Sequence, residues 1–202
     1  ANGCSARSAG KASPSPIAKT LCQANLSTSD KDITALQGLT FSPSACNGAY
    51  ESTPAAVKFL EADAVSFRVN LCNNSATSQY DAKSVVVTDY LTNLVQPPGG
   101  WQARLCNPSA SCNNITPTVS GAAPNQILTF NVGTVPQGES RYIAFNVQIA
   151  TASGPVSRFN NRAVIDYIKD IIGTLGSRPA SIPWLPYYSS RGAPSRGEIP
   201  PQ

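Results

Sequence analysis

Two stretches of this chain alternate apolar and polar side chains without a break: Val65, Phe67, Val69, Leu71, and Ile143, Phe145, Val147, Ile149. A period of two puts each set on one face of an extended backbone, so each stretch covers a core on one side and meets water on the other. Residues 84–91 (SVVVTDYL) and 127–132 (ILTFNV) share the β-branched and aromatic character. Clusters of Asn, Ser, Gly and Pro separate these segments, and no helical period intervenes. The pattern predicts an all-β chain folded as a sandwich.

The segments Ala56–Leu60, Ala64–Leu71, Ser84–Leu91, Trp101–Cys106, Ile127–Val132, Arg141–Ile149 and Asn160–Ile168 read as strands. About seven strands fit a single immunoglobulin-like sandwich, which we place at 53–170. Turn chemistry sits at the junctions: Asn73-Asn74-Ser75, Pro97-Pro98-Gly99-Gly100 and Pro136-Gln137-Gly138. Gly133 and Gly138 punctuate the hairpin between two core strands, where a positive φ is often required. The first and last strands have no obvious partner beyond them, so both should be edges that need cover.

Residues 1–52 form a polar N-terminal arm that cannot build its own core. Its period-two stretch (Ile33, Ala35, Leu39, Phe41) should add to a sheet, its own or a neighbour's. Residues 171–202 form a Pro-rich C-terminal tail with Trp184, Leu185, Tyr187 and Tyr188 at its centre. Proline breaks both helix and ladder, so the tail reads as irregular or polyproline-like. Aromatic residues among prolines suit docking on a neighbour.

The six cysteines (Cys4, Cys22, Cys46, Cys72, Cys106, Cys112) occur in a chain without histidine and without a C-x-x-C pair, which argues for disulfides in an oxidising compartment and against a metal site. Three lie before residue 50 and three after it. If all pair within the chain, an odd number of bridges must join the arm to the sandwich. Cys106 and Cys112 flank a short loop and suit a local bridge, which leaves Cys72 for a cysteine of the arm. The chain opens on Ala1 and has no Met, from which a processed, secreted protein is expected, and no apolar run is long enough to span a membrane.

Only 13% of the residues are charged, about half the usual share. The net charge of +4 is scattered, without the basic stripe of a nucleic-acid binder. Without histidine there is no imidazole base, and no phosphate-binding or dinucleotide motif occurs. The chain reads as a non-enzyme without cofactor. Its acids stand singly or in the close pairs Asp30/Asp32 and Glu61/Asp63, which together with Asp89 read as solvated carboxylates. Asn25, Asn73 and Asn114 head N-glycosylation sequons. Lys58 on the first strand and Asn160 or Asn161 on the last are the residue types of a Lys–Asn isopeptide bond. Such a bond needs the pair side by side in an apolar setting with a buried acid, which sequence alone does not place.

Four segments, AVSFRVNLCNNS at 64–75, AKSVVVTDYLTNL at 82–94, ILTFNVGTVPQGESRYIAFNVQIA at 127–150 and RFNNRAVIDY at 158–167, carry a resemblance. Across 57–168 the chain resembles the Ig-like repeat domain of unknown function found in bacterial and archaeal cell-surface proteins. VVVTDYL and VGTVPQGES are the most specific pieces. The resemblance implies an Ig-like fold and an extracellular setting. The cysteines, the arm and the tail have no counterpart in that family. These readings together lead us to expect a secreted structural subunit that polymerises with copies of itself through strand complementation by its extensions. The alternative is a monomeric adhesin or glycan-binding module that uses Trp101 and the tail aromatics.

Overall fold

A computed structural model describes residues 23–36, 38–43, 46, 60–75, 78–151, 159–168 and 175–181. They form twelve strands: β1 (Asp30–Leu36), β2 (Leu39–Thr40), β3 (Ala64–Cys72), β4 (Ala82–Thr92), β5 (Leu94–Val95), β6 (Ala103–Cys106), β7 (Cys112–Asn114), β8 (Thr118–Ser120), β9 (Ile127–Val135), β10 (Ser140–Ile149), β11 (Asn160–Ile168) and β12 (Leu175–Ser181). Two antiparallel sheets face each other. One runs β2-β1-β3-β10-β6-β7, with β5 also on β10, and the other runs β12-β11-β4-β9-β8.

The alternating stretches are the heart of the first sheet. β10 lies against β3 with Val69 opposite Ile143 and Phe67 opposite Phe145. Their inward side chains meet Val85, Val87 and Leu91 of β4, Leu128 and Phe130 of β9, and Ala163 and Ile165 of β11, all buried in one core. Four of the expected strands appear with slightly different ends, Asn160–Ile168 appears as expected, and a sixth shortens from Trp101–Cys106 to Ala103–Cys106. The expected strand at Ala56–Leu60 lies outside the described residues except for Leu60, which precedes a turn. Gly138 takes φ +76° in the β9–β10 turn. Gly133, at φ +83°, falls inside β9, where the pairing with β4 slips by a bulge rather than at the hairpin.

The expected edge at β11 is covered from within the chain, and so is β3, whereas the other expected edge, Ala56–Leu60, lies outside the described residues except for Leu60. β1 pairs with β3 along Asp30–Leu36, so this part of the arm completes the molecule's own sheet. A bulge between Ile33 and Ala35 shifts the alternation by one residue. Ile33 and Leu36 therefore enter the core, whereas Ala35 stays partly exposed and Leu39, on the hairpin, is 51% exposed. Phe41 packs against the core from its margin. At the other end β12 pairs with β11, which corrects the expectation of an irregular tail over 175–181. Pro179 sits in that strand, opposite Val164. Proline is tolerated there because β12 is an edge, where one side of the backbone needs no ladder partner. The tail residues Trp184, Leu185, Tyr187 and Tyr188 lie outside the described residues.

Two disulfides brace the frame. Cys46–Cys72 ties the arm to the end of β3, and Cys106–Cys112 closes the β6–β7 hairpin. Cys4 and Cys22 lie outside the described residues. The end of β3 is also held by Asn73, whose side chain is wholly buried and fully used. Its Nδ2 donates to the carbonyls of Tyr80 (2.8 Å) and Val135 (2.9 Å), while its Oδ1 accepts from the Asn25 amide (3.2 Å) and the Ser78 hydroxyl. Of the three sequon asparagines, Asn73 is thus enclosed and engaged in the fold. Asn25 is half-buried, and Asn114 is exposed on β7.

Candidate functional site: a buried lysine, aspartate and asparagine

Three strands deliver polar side chains into the apolar interior. On β4, Val85, Val87, Asp89 and Leu91 share one parity, so Asp89 occupies a core position rather than a solvated one. On β11 the same holds for Asn161, with Ala163, Ile165 and Tyr167. On β1, Lys31 shares the inward face with Ile33. All three are closed to water, with Lys31 at 2%, Asp89 at 0% and Asn161 at 2% relative exposure.

The topology explains why they meet. β4 and β11 are neighbours in one sheet, with Asp89 opposite Ala163 and Asn161 opposite Leu91. Asp89 and Asn161 are thus diagonal neighbours on the inner face, a spacing within reach of longer side chains. Lys31 approaches from the facing sheet, and its Nζ makes a short ion pair with Asp89 Oδ2. The rings of Phe67 and Phe145 flank the ammonium, with centroids 4.9 and 5.4 Å from Nζ.

Burial acts on both charges against their mutual attraction. It pushes the Lys31 ammonium down to about 8, although Asp89 pulls it back up. It raises the Asp89 carboxyl, an effect opposed by Lys31 and more weakly by the Asn161 amide. Both shifts move the pair toward a neutral amine beside a neutral acid. The Asn161 amide lies near enough to Asp89 to act weakly on its carboxyl, but neither of its atoms meets hydrogen-bond geometry with any partner, and neither does Asp89 Oδ1. Buried amides are almost always satisfied. An amide left open beside an amine and an acid is chemically poised.

Lys58 of the expected Lys–Asn pair lies outside the described residues, so that pairing stands as an expectation. The lysine that the structure brings to this site is Lys31 of β1. The asparagine is Asn161, since Asn160 alternates to the half-exposed outer face. The acid is Asp89. Asp30 and Asp32 are not solvated either: both are buried on the outer face of the first sheet, where Asn70 Nδ2 donates to Asp30 Oδ1 and to Asp32 Oδ2. The subunit-contact candidate Ile33 is buried in the molecule's own core. Among the described residues no group of three or more His, Cys, Asp or Glu is arranged to hold a metal ion, and no helix is long and apolar enough to cross a membrane.

No family model matches this chain, and no curated protein does. Among solved structures, the BcpA major pilin subunit of Bacillus cereus is similar at 15% identity and a TM-score of 0.41, over 76% of this chain and 39% of that one. Domains D2 and D3 of the major pilin SpaD from Corynebacterium diphtheriae give 12% and 0.45, over 76% and 50%. The collagen-binding domain of a Staphylococcus aureus adhesin gives 13% and 0.34, over 58% and 87%. The chain spans half or less of the two pilin structures. The structural neighbours thus include pilins and adhesins.

Proposed function

We propose that this chain is a load-bearing structural subunit of an extracellular surface assembly, and that its sandwich welds itself with an isopeptide bond between Lys31 and Asn161, promoted by Asp89. The observation that carries the reading is the enclosed Lys31–Asp89 pair beside an unsatisfied Asn161. A buried ion pair alone is a poor source of stability, because desolvation offsets its attraction. It also gives no reason for an open amide next to it. Bond formation accounts for all three residues.

The chemistry balances without an outside reagent. Lys31 passes one proton to Asp89, leaving a neutral amine with a free lone pair and a neutral carboxylic acid. Nζ attacks Cγ of Asn161 while Asp89 donates its proton to Oδ1, where negative charge develops. The surplus proton on Nζ returns to Asp89 and moves on to Nδ2. The Cγ–Nδ2 bond breaks, ammonia is freed, and Asp89 takes back the Oδ1 proton as the carbonyl reforms. Asp89 then gives that proton to the departing ammonia, which leaves as ammonium, so the new amide joins β1 to β11, no electrons are transferred, and Asp89 is again a carboxylate. Folding supplies the proximity, and the aromatic walls exclude the water that would solvate the amine.

Such a weld suits a subunit under tension. Force entering before Lys31 and leaving after Asn161 would pass through the new bond, and the sheets between would carry none of it. Both described disulfides lie inside that protected span, and disulfides belong to an oxidising, extracellular setting. Strand donation by 30–36 has no place in this reading, since β1 is already paired with β3. Self-association through other segments stays within it.

Intact-mass spectrometry tests the reading directly. The folded chain should weigh one ammonia less than its disulfide-bonded sequence, and a tryptic fragment should join the peptides of Lys31 and Asn161. A full-length mass equal to the sequence, from protein that is folded by circular dichroism, would remove the weld and with it the load-bearing role.

A further inference from the structure

We infer that the outer face of the β1-β3-β10-β6-β7 sheet is a binding groove for an oligosaccharide bearing a carboxylate. The inference is independent of the weld, which lies on the other side of the same sheet.

The groove encloses about 710 Å³, within the range of ligand sites. Its origin is legible in the register. Ala144 pairs with Arg68 on one side and with Arg104 on the other, and Arg104 pairs with Asn114. A methyl group between two long side chains leaves a trough, which the next rung, Ser66 beside Asn146, continues. Arg68 does not fill it. Its Nε donates to Asn70 Oδ1 at 2.6 Å, and its guanidinium lies 3.8 Å over the Tyr142 ring. Arg104 is exposed and has no ion-pair partner among the described residues.

The lining selects the ligand class. Trp101 offers an aromatic plane, and Thr34, Ser66, Asn114 and Asn146 offer hydroxyls and amides. Such groups pair with a ring that is apolar on its faces and hydroxylated at its rim. Arg104 is the lining cation and no lining residue is acidic, so the complementary charge is negative, and a carboxylate matches the guanidinium fork. An extended peptide is disfavoured by topology. β3 and β10 are each paired on both sides, so the groove floor has no free backbone edge for an added strand.

Calorimetric titration of the full chain with hyaluronan hexasaccharide, its carboxyl-reduced form and a gelatin peptide tests this. The acidic saccharide should bind saturably and about tenfold or more tighter than the reduced form, the scale of one charge-assisted contact. Arg104→Gln should erase that difference. Ala144→Leu should weaken both saccharides by filling the floor, with the melting temperature held as the check on folding. The inference is overturned if wild type binds neither saccharide, if both variants bind like wild type, or if the gelatin peptide binds more tightly than the saccharides.

Discussion

Asn73 and Asn161 are equally hidden from water and opposite in state. Asn73 spends every donor and acceptor of its amide, tying the Asn25 segment, the 78–80 loop and the end of β9 to the end of β3. Asn161 spends none and lies beside the Lys31–Asp89 ion pair. The difference separates architecture from chemistry. A satisfied buried amide holds a loop, because any change leaves its partners orphaned. An unsatisfied one carries a desolvation cost that only another event can remove. Bond formation with Lys31 is such an event, since it converts a primary amide and a charged amine into one neutral amide.

The comparison can be broken most sharply at Asp89. Asp89→Ala should abolish the mass loss and leave the Lys31 ammonium buried and unpaired, which costs about 3–5 kcal/mol beyond the missing weld. Chemical denaturation followed by circular dichroism measures the sum. Survival of the weld in this variant would show that Asp89 is not the proton carrier.

Asn161→Ala comes next. It keeps the ion pair and removes the electrophile, so the chain should run at its full sequence mass. Treating the weld as a loop closure of the disulfide kind gives a stability loss of about 5 kcal/mol. An unchanged mass deficit in this variant would place the linkage at another residue.

Asn73→Ala supplies the contrast. It should cost about 1–3 kcal/mol for the orphaned partners and leave the ammonia deficit intact. Loss of the deficit here would merge the two sites into one cooperative unit and erase the distinction drawn above.

The smallest effect is the pH response of the unwelded Asn161→Ala chain. Lys31 is depressed to about 8 in the fold against 10.5 for a free side chain. Below the lower value lysine is charged in both states, and burial of the ammonium costs its full penalty. As pH rises from about 8 toward 10.5 the unfolded chain holds the extra proton, so stability should increase across that window. Denaturant midpoints at pH 7 and pH 10 check the sign, and a fall would mean that Lys31 stays charged in the fold. In the wild type, formation of the weld should be fastest where the pair holds a single proton. It should slow in acid, where both groups are protonated, and above about 8, where the pair loses its acid.

Much of this was legible in the chain. Alternation in 64–71 and 141–149 marked two central strands, and the Asn73, Pro97 and Pro136 clusters marked turns. Cysteine positions pointed to a local 106–112 bridge and to an arm partner for Cys72, as the structure shows. The site was legible only in part. Asp89 stands in phase with Val85, Val87 and Leu91, and Asn161 in phase with Ala163 and Ile165, so parity already assigned both to the core. Reading Asp89 by residue type, as a solvated charge, hid that signal. Lys31 was harder to see. β1 is short and bulged, and its alternation reads across Ile33, Ala35, Leu39 and Phe41 as if no residue had been inserted.

By itself the sequence determined the extended backbone and the face on which most side chains fall, because these follow from local periodicity. Tertiary structure alone decided that the arm and part of the tail close the molecule's own sheets. It alone decided that Lys31 of one sheet reaches Asp89 of the other, on the face that also carries Asn161. Parity states which side of a strand faces inward; which strand waits across the core depends on how two twisted layers stack, and that is a property of the whole chain.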